Sequence, residues 1–418
     1  MYSVEPGLMF METRSICLSL ASSELGLENS KRLWSRILQS VAEYPNIHLD
    51  GVVTPSSSGS VGECLYRVVV VGTGGTEKGI IGLGERSRFL VLISFRGFNS
   101  FAATLEASSQ LLRLGKRFEH IPIQSVDGVA DTVKRVIRAV NAVTKLRSSR
   151  LGVVGGASDW LVYSKVDSGV VRQRIGAEVV EIPIEELVSE YQSIEESVAL
   201  DLQLNPLSVN VDFGEVRKAL RMYRAVENIV KRYKLDGITI RCFDLINTTG
   251  TTPCLALAIL NTRGVPAACE GDAPLLISMA LGLWATGKPV FMGNTAYVDR
   301  DYVYLAHCTA PLVAPYSLYT HFESGKGVGV RVEYPVNSEA TIFRVDPNLT
   351  RLRIGAGVIE PREWSTNMCR TQIRLRLRNA REIISKPMGN HYALILGNHV
   401  EELSLAAKIL GLEVEVIE

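Results

Sequence analysis

Through residue 290 the chain alternates short apolar runs with amphipathic helical stretches, and beyond it apolar residues recur at every second position. Apolar strands separated by helices call for a parallel sheet covered on both faces. Short alternating strands separated by turn residues call for an antiparallel sheet that buries one face. The expected fold is therefore α/β, with two parallel-sheet (Rossmann-like) domains followed by an antiparallel β-barrel-like C-terminal domain. The expected limits are residues 1–148, 149–290 and 291–418, with the basic segment KLRSSR (145–150) as the first linker.

In the first domain the runs RVVVVG (67–72) and FLVLIS (89–94) read as strands. Helices are expected around 23–43, over 99–116 with Asn99 or Ser100 as cap, and over 128–147. In the last of these, Val129, Val133, Val136, Val140 and Val143 recur at helical spacing. The second domain opens with RLGVVGGASDW (150–160). A helix at 214–234 follows, then a strand at 237–243, a helix at 253–264, a strand at 265–270 and a helix at 274–286. In the third, GVGVRVEY (327–334), ATIFRVD (340–346) and RTQIRLRLR (370–378) alternate, before a helix at 400–411 and a strand at 412–417. The arginines of 370–378 read as a solvated strand face.

Forty-five basic and 44 acidic side chains leave a net charge of +1, which argues against a nucleic-acid binder or a polybasic membrane binder. The longest apolar stretch, 273–287, is too short to span a bilayer. The first residues carry Glu5 and Glu12 and lack the pattern of a signal peptide. Seven widely spaced cysteines without a CxxC read as a reduced set, and a cytoplasmic protein is expected.

Three features are candidates for chemistry. The turn Gly72-Thr73-Gly74-Gly75-Thr76-Glu77 follows a strand, but a dinucleotide fingerprint needs a small residue where Glu77 stands and an acid at the end of the next strand, which reads Ser94-Phe95-Arg96. A structural turn, or a backbone that hydrogen-bonds a polar ligand, is the better account, and a nicotinamide enzyme is disfavoured. Cys269-Glu270-Gly271-Asp272 lies at a strand's carboxyl end just before a helix, where two carboxylates suit metal or acid–base work. Asp272, two residues before Pro274, is equally well placed as an ordinary N-cap. The third feature is the histidines: His307 in LAHCTAP, His321 in THFESGKG and His391 in MGNHYALILGN. Carboxylates joined by a histidine from another domain would suit Mn²⁺ or Mg²⁺.

Taken in order, VVVVGTGGTE (68–77), NSFAATLEA (99–107), RLGVVGGASDWLVYS (150–164), PCLALAILNTRGVPAACEGD (253–272), LAHCTAP (305–311), HFESGKGVGV (321–330), CRTQIRL (369–375) and GNHYALILGNHVEELSLAAKILGLEV (389–414) resemble the fucose isomerase/arabinose isomerase superfamily. The shorter fucose-isomerase-like proteins are the nearest part of it, and the likeness runs from about residue 60 onward. It implies a cytoplasmic, Mn²⁺-dependent (or Mg²⁺-dependent) aldose–ketose isomerase that acts through an enediol on a sugar and assembles as a trimer or hexamer. It places the metal on Asp272 and His391, with Glu270 beside them. The family's other carboxylate would fall in 252–263, which holds no acid, so Glu270 or Asp244 is left to supply it. Glu270, Asp272 and Asp244 are thus the expected catalytic groups, and His307, Asn390 and Glu77 the expected sugar contacts. The alternative is a non-catalytic sugar-binding or regulatory protein on the same scaffold.

Overall fold

The early apolar runs become neighbours in one parallel sheet. The structure is a computed structural model that describes residues 14–195 and 204–417, so the segment with Glu5 and Glu12 lies outside it. The chain divides into two units, Met1–Val140 and Asn141–Glu418.

The first unit holds β1 (Arg14–Ala21), α1 (Leu27–Val41), β2 (His48–Val53), β3 (Cys64–Val71), α2 (Glu77–Glu85), β4 (Ser87–Phe95), α3 (Ser100–Arg113), β5 (Phe118–Ile123) and most of α4 (Val129–Arg147). Its five strands are all parallel in the order β2-β1-β3-β4-β5, a doubly wound arrangement. The five periodic valines of α4 are all buried, as their spacing requires. The glycine turn after β3 is tied down internally: Gly72 N–H donates to the Ala21 carbonyl and Gly74 N–H to that of Phe98. Those donors are spent on the fold, in keeping with a structural turn.

One expectation fails here. Cys17 and Cys64, on the adjacent strands β1 and β3, form a disulfide with their Cα atoms 6.2 Å apart. A separation of 47 residues hides this pairing from sequence, since only the β1–β3 register brings the two thiols together. The other five cysteines are free.

The second unit begins with β6 (Arg150–Val154), α5 (Ser168–Ile175), β7 (Glu178–Ile182), α6 (Ile184–Ser193), β8 (Ser208–Asn210), α7 (Phe213–Tyr233) and β9 (Gly237–Ile240). Then come α8 (Cys242–Thr249), α9 (Cys254–Thr262), β10 (Ala267–Cys269) and α10 (Ala273–Thr286). Strands β10-β9-β6-β7 form a second parallel sheet. The strand expected over 237–243 stops at Ile240, because Cys242 already belongs to α8. Helix α10 is apolar on every side and nearly all its residues are buried, the mark of a helix inside a core.

The remaining elements are β11 (Phe291–Asp299), β12 (Tyr302–His307), β13 (Tyr316–Tyr319), β14 (Gly329–Val332), β15 (Glu339–Val345), β16 (Arg351–Glu360), β17 (Thr371–Arg376), α11 (Glu382–Ser385), β18 (His391–Leu396), α12 (Val400–Leu410) and β19 (Glu413–Val416). A mixed, mostly antiparallel sheet runs β15-β18-β11-β12-β17-β16-β19, and β16 also pairs with β15. Six antiparallel strands thus close on themselves, which is the part of the barrel-like expectation that the pairings carry. Two details depart from it. β19 joins parallel to β16, and β14 pairs instead with β13, which lies parallel to β8 in a separate sheet. No helix among the described residues is long and apolar enough to cross a membrane.

The arginines of β17 are not simply solvated. Arg374 stacks 3.9 Å from the Tyr302 ring centre, and Arg376 bonds Glu360 at 2.6 Å.

Candidate active site

The turn between β10 and α10 is forced into an unusual shape. Glu270 has φ +61° and Gly271 φ +72°, so two consecutive residues are left-handed, a conformation costly for the glutamate. A Cβ on Gly271 would lie 2.0 Å from the Gly156 carbonyl oxygen, so glycine is what lets the turn meet the loop after β6. That loop holds the turn in place, since Ser158 N–H donates to the Glu270 carbonyl at 2.9 Å. The Glu270 side chain is turned into a cavity of about 460 Å³, within the usual range for a small-molecule site. His307, at the end of β12, and Asn390, just before β18, line the same cavity.

Glu270, His307 and His391 form a buried set whose potential ligand atoms lie within 4.8 Å of one another. Glu270 Oε1 is 3.5 Å from His391 Nε2 and 3.8 Å from His307 Nε2. The far nitrogen of each ring is engaged: His391 Nδ1 lies 2.8 Å from Asp272 Oδ2, and His307 Nδ1 lies 3.0 Å from Thr309 Oγ1. With Nδ1 held by Asp272, Nε2 is the ring nitrogen of His391 turned to Glu270 and the one that would meet a metal. Glu270 Oε2 accepts from Trp160 Nε1 at 2.7 Å.

Asp272 sits behind His391 and not among the three ligand atoms. Its side chain is fully buried and caps α10 by accepting from Leu275 N–H at 2.9 Å. Both guanidinium NH₂ groups of the equally buried Arg344 reach it, at 3.0 and 3.1 Å. Arg344 also bonds the His391 carbonyl and Ser164. The capping and functional readings of Asp272 therefore hold in one carboxylate. Gly389, with φ +85°, completes the arrangement, because a Cβ there would press 3.0 Å from the Arg344 guanidinium.

The charges follow from these contacts. Burial alone would raise the Glu270 carboxyl, but the two imidazoles outweigh it and hold the group well below the ordinary carboxylate range. Burial opposes protonation of His391, yet Asp272 and Glu270 push its pKa up. His307 is pulled down by burial despite Glu270. Asp272 is held low, against its burial, by Arg344 and His391.

The remaining expected residues divide. His307 and Asn390, the expected sugar contacts, line the cavity, and His307 is also inside the candidate ligand set. Asp244, on the first turn of α8, is paired with Arg241 at 2.7 Å and is absent from the cavity lining. Glu77 heads α2 in the first unit. Reading the sequence missed Trp160, Glu323 and Arg344, and it had singled out His321 only as one of three candidate histidines. Arg344 had a signal, a lone charge in the apolar run Ile342-Phe343-Arg344-Val345. Trp160, Phe243 and His321 form an edge-to-face run along the cavity, with ring centres 5.0 and 5.6 Å apart. Glu323 lines it too, and burial, then the charge of Glu270, raises its carboxyl above the ordinary value.

No known protein-family profile matches the chain. It is similar to the sulfoquinovose isomerase of Clostridium sp. (strain MSTE9), 25% identical over 346 residues that cover 77% of this chain and 76% of the relative. It is also similar to the sulfoquinovose isomerase of Alkalicoccus urumqiensis, 24% identical over 317 residues that cover 69% and 70%.

Proposed function

We propose that this chain is a sugar isomerase that interconverts an aldose and a ketose by an enediol route, in the cavity lined by Glu270, His307 and Asn390. The observation that carries this reading is the buried Glu270–His307–His391 set facing a sugar-sized cavity. The similarity to two enzymes named for isomerising a sugar supports the same reaction class.

The three donors fit a divalent cation. One carboxylate and two imidazoles converge, and each imidazole has its outer nitrogen held by a neighbour. Two imidazoles against one carboxylate favour a first-row ion such as Mn²⁺ over Mg²⁺, which prefers oxygen alone. Bound there, such an ion would supply Lewis acidity to the sugar's carbonyl and adjacent hydroxyl oxygens.

The protein's own groups then divide the work. Glu270, kept anionic by its imidazole neighbours, acts as a ligand and is a poor base. Glu323, whose carboxyl is raised, is the better proton carrier, taking the proton from the carbon next to the carbonyl and returning it to the former carbonyl carbon, while the hydroxyl proton passes from the adjacent oxygen to the former carbonyl oxygen. Asp272 fixes the tautomer and angle of His391, and Arg344 keeps Asp272 charged. Trp160 orients the second oxygen of Glu270 and covers it from water. Asn390, whose Nδ2 donates to Asn294 Oδ1 at 3.2 Å and which lines the cavity, is the group to meet a sugar hydroxyl in this reading.

The test has two stages. Metal-free protein is titrated with Mn²⁺ by calorimetry beside His391→Ala. The loaded protein is then offered sulfoquinovose and a set of neutral aldoses and ketoses, with products followed by NMR. One Mn²⁺ site lost in the variant, with turnover of at least one sugar, supports the reading. Mn²⁺ binding without turnover of any sugar would favour a sugar-binding protein instead.

A further inference from the structure

His321 is a buried imidazole at the cavity that neither the ligand set nor the proton transfer between carbons employs. It lies on the loop between β13 and β14 and lines the cavity together with Glu323, two residues further on. Among the described residues the only set of three or more candidate metal ligands close together is Glu270, His307 and His391, so His321 stands outside it. A buried polar ring without such a role needs another account.

The ring is held in place by its own loop and by an aromatic neighbour. His321 N–H donates to the Lys326 carbonyl at 3.2 Å, and Gly325 N–H donates to the His321 carbonyl at 2.9 Å, which closes the loop into a tight turn. Phe243 meets the imidazole edge-on, with ring centres 5.6 Å apart. Phe243 also meets Trp160, and Trp160 bonds Glu270, so a continuous run of rings ties His321 to the ligand set. His321 Nδ1 lies 3.0 Å from Ser324 Oγ, and no protein group among the described residues bonds Nε2. A hydroxyl both donates and accepts, so Ser324 supports either tautomer, and Nε2 can present a lone pair or a proton. His391 has no such freedom, because its Nδ1 faces the Asp272 carboxylate, which only accepts.

We propose that His321 is the second proton carrier of the isomerisation, moving the hydroxyl proton between the two sugar oxygens while Glu323 moves the other proton between the two carbons. This role rests on the isomerase reading of the same cavity. The O–H bond of the hydroxyl next to the carbonyl breaks as Nε2 takes its proton. The Nε2–H bond then breaks as the former carbonyl oxygen takes that proton, so no proton or electron is gained or lost overall. Two carriers on one loop suit the chemistry, since the two protons travel between neighbouring atoms of one small molecule. Burial, above all, lowers the pKa of His321 to about 4, so the ring is neutral at pH 7 and its protonated form releases a proton readily.

Wild type and His321→Gln are compared in D₂O on whichever of sulfoquinovose and the neutral sugars wild type turns over, with substrate deuteration and product formation followed separately by NMR. Glutamine keeps a polar group at the position but cannot carry a proton. Its kcat for product should fall about 100-fold or more, the usual contribution of one acid–base group, with KM little changed. The step at carbon belongs to Glu323, so deuterium should still enter the substrate, and the ratio of deuteration to product should rise. A merely structural loss would lower both together. Calorimetric Mn²⁺ titration should match wild type, because His321 is not a ligand. Imidazole added to His321→Ala should restore part of the turnover, and the glutamine variant stands in if alanine does not fold. The proposal is overturned if His321→Gln forms product as fast as wild type, or if deuteration and product fall in parallel. A wild type that neither exchanges nor converts any of these sugars overturns the isomerase reading and this role with it, whereas an active wild type beside an equally active variant removes His321 alone.

Discussion

Asp272 Oδ2 lies 2.8 Å from His391 Nδ1 while the same carboxylate holds both guanidinium NH₂ groups of Arg344. One buried group therefore does three things: it caps α10, fixes the tautomer of His391 and neutralises a fully buried arginine. Asp272→Asn keeps the shape but removes the charge, leaving Arg344 unpaired in the core. A loss of about 3–5 kcal/mol is expected, the usual cost of breaking a buried ion pair from one side. In the fraction that still folds, Mn²⁺ binding should weaken about 10- to 100-fold. Urea unfolding and calorimetry measure the two effects, and an unchanged unfolding midpoint would contradict the assignment.

Trp160→Phe isolates the other oxygen of Glu270. Phenylalanine can retain the aromatic contact with Phe243 but not the 2.7 Å hydrogen bond to Oε2. Trp160 is half exposed, so folding should be nearly untouched. A hydrogen bond to a charged group is worth about 1.5–3 kcal/mol, so Mn²⁺ affinity should fall about tenfold or more at constant stability. Glu270→Gln should weaken it further, because it alters a ligand directly. Equal affinities in wild type and Glu270→Gln would remove Glu270 from the ligand set.

How much of this was legible in the sequence depends on whether a feature is local. The valines of α4, the apolar run of β3 and the cap at Asp272 are patterns within a few residues, and each expected element is present. The EGD and GNH segments stood out as sites for the same reason. Non-local pairings were not legible. The β11–β18 register that sets Asn294 opposite His391, the Cys17–Cys64 bond and the Arg344–Asp272 pair join residues far apart in sequence. The place of Asp244 was hidden for a related reason: α8 begins two residues after β9, and that turn hands the carboxylate to Arg241.

His321 gives the metal-free protein a pH dependence whose sign can be worked out. Burial, then the charges of His307 and Arg370, lower its pKa from 6.5 to about 4. Between those values the unfolded chain binds the proton and the folded one does not, so stability falls as pH falls from 6.5 to 4. A shift of that size corresponds to roughly 3 kcal/mol. His307, also lowered, acts in the same direction, while Glu323, raised, opposes it. His391 is raised, so its contribution is already complete below pH 6.5 and is lost only at higher pH. Urea unfolding at pH 7 and pH 4.5 should show the loss, and His321→Gln should shrink it. An identical pH slope in that variant would mean that His321 is protonated as readily in the fold as outside it.

Gly271→Ala tests whether the close approach of two backbones holds the site. The new Cβ would lie 2.0 Å from the Gly156 carbonyl oxygen and 2.7 Å from Ala157 Cα, and neither obstacle can rotate away as a side chain would. The left-handed φ adds about 1–2 kcal/mol of its own. Relief requires the turn after β10 to leave the loop after β6, which breaks the Ser158–Glu270 bond and carries Glu270 away from Trp160. Gly287→Ala is the control, since that residue has φ +69° but open space around its would-be Cβ. The control should lose only the conformational cost of about 1–2 kcal/mol and keep its Mn²⁺ site. Gly271→Ala should lose clearly more stability and the metal site with it. If the two variants proved equally mild by urea unfolding and by Mn²⁺ titration, the contact between the turn and the 156–157 backbone would not be what positions Glu270.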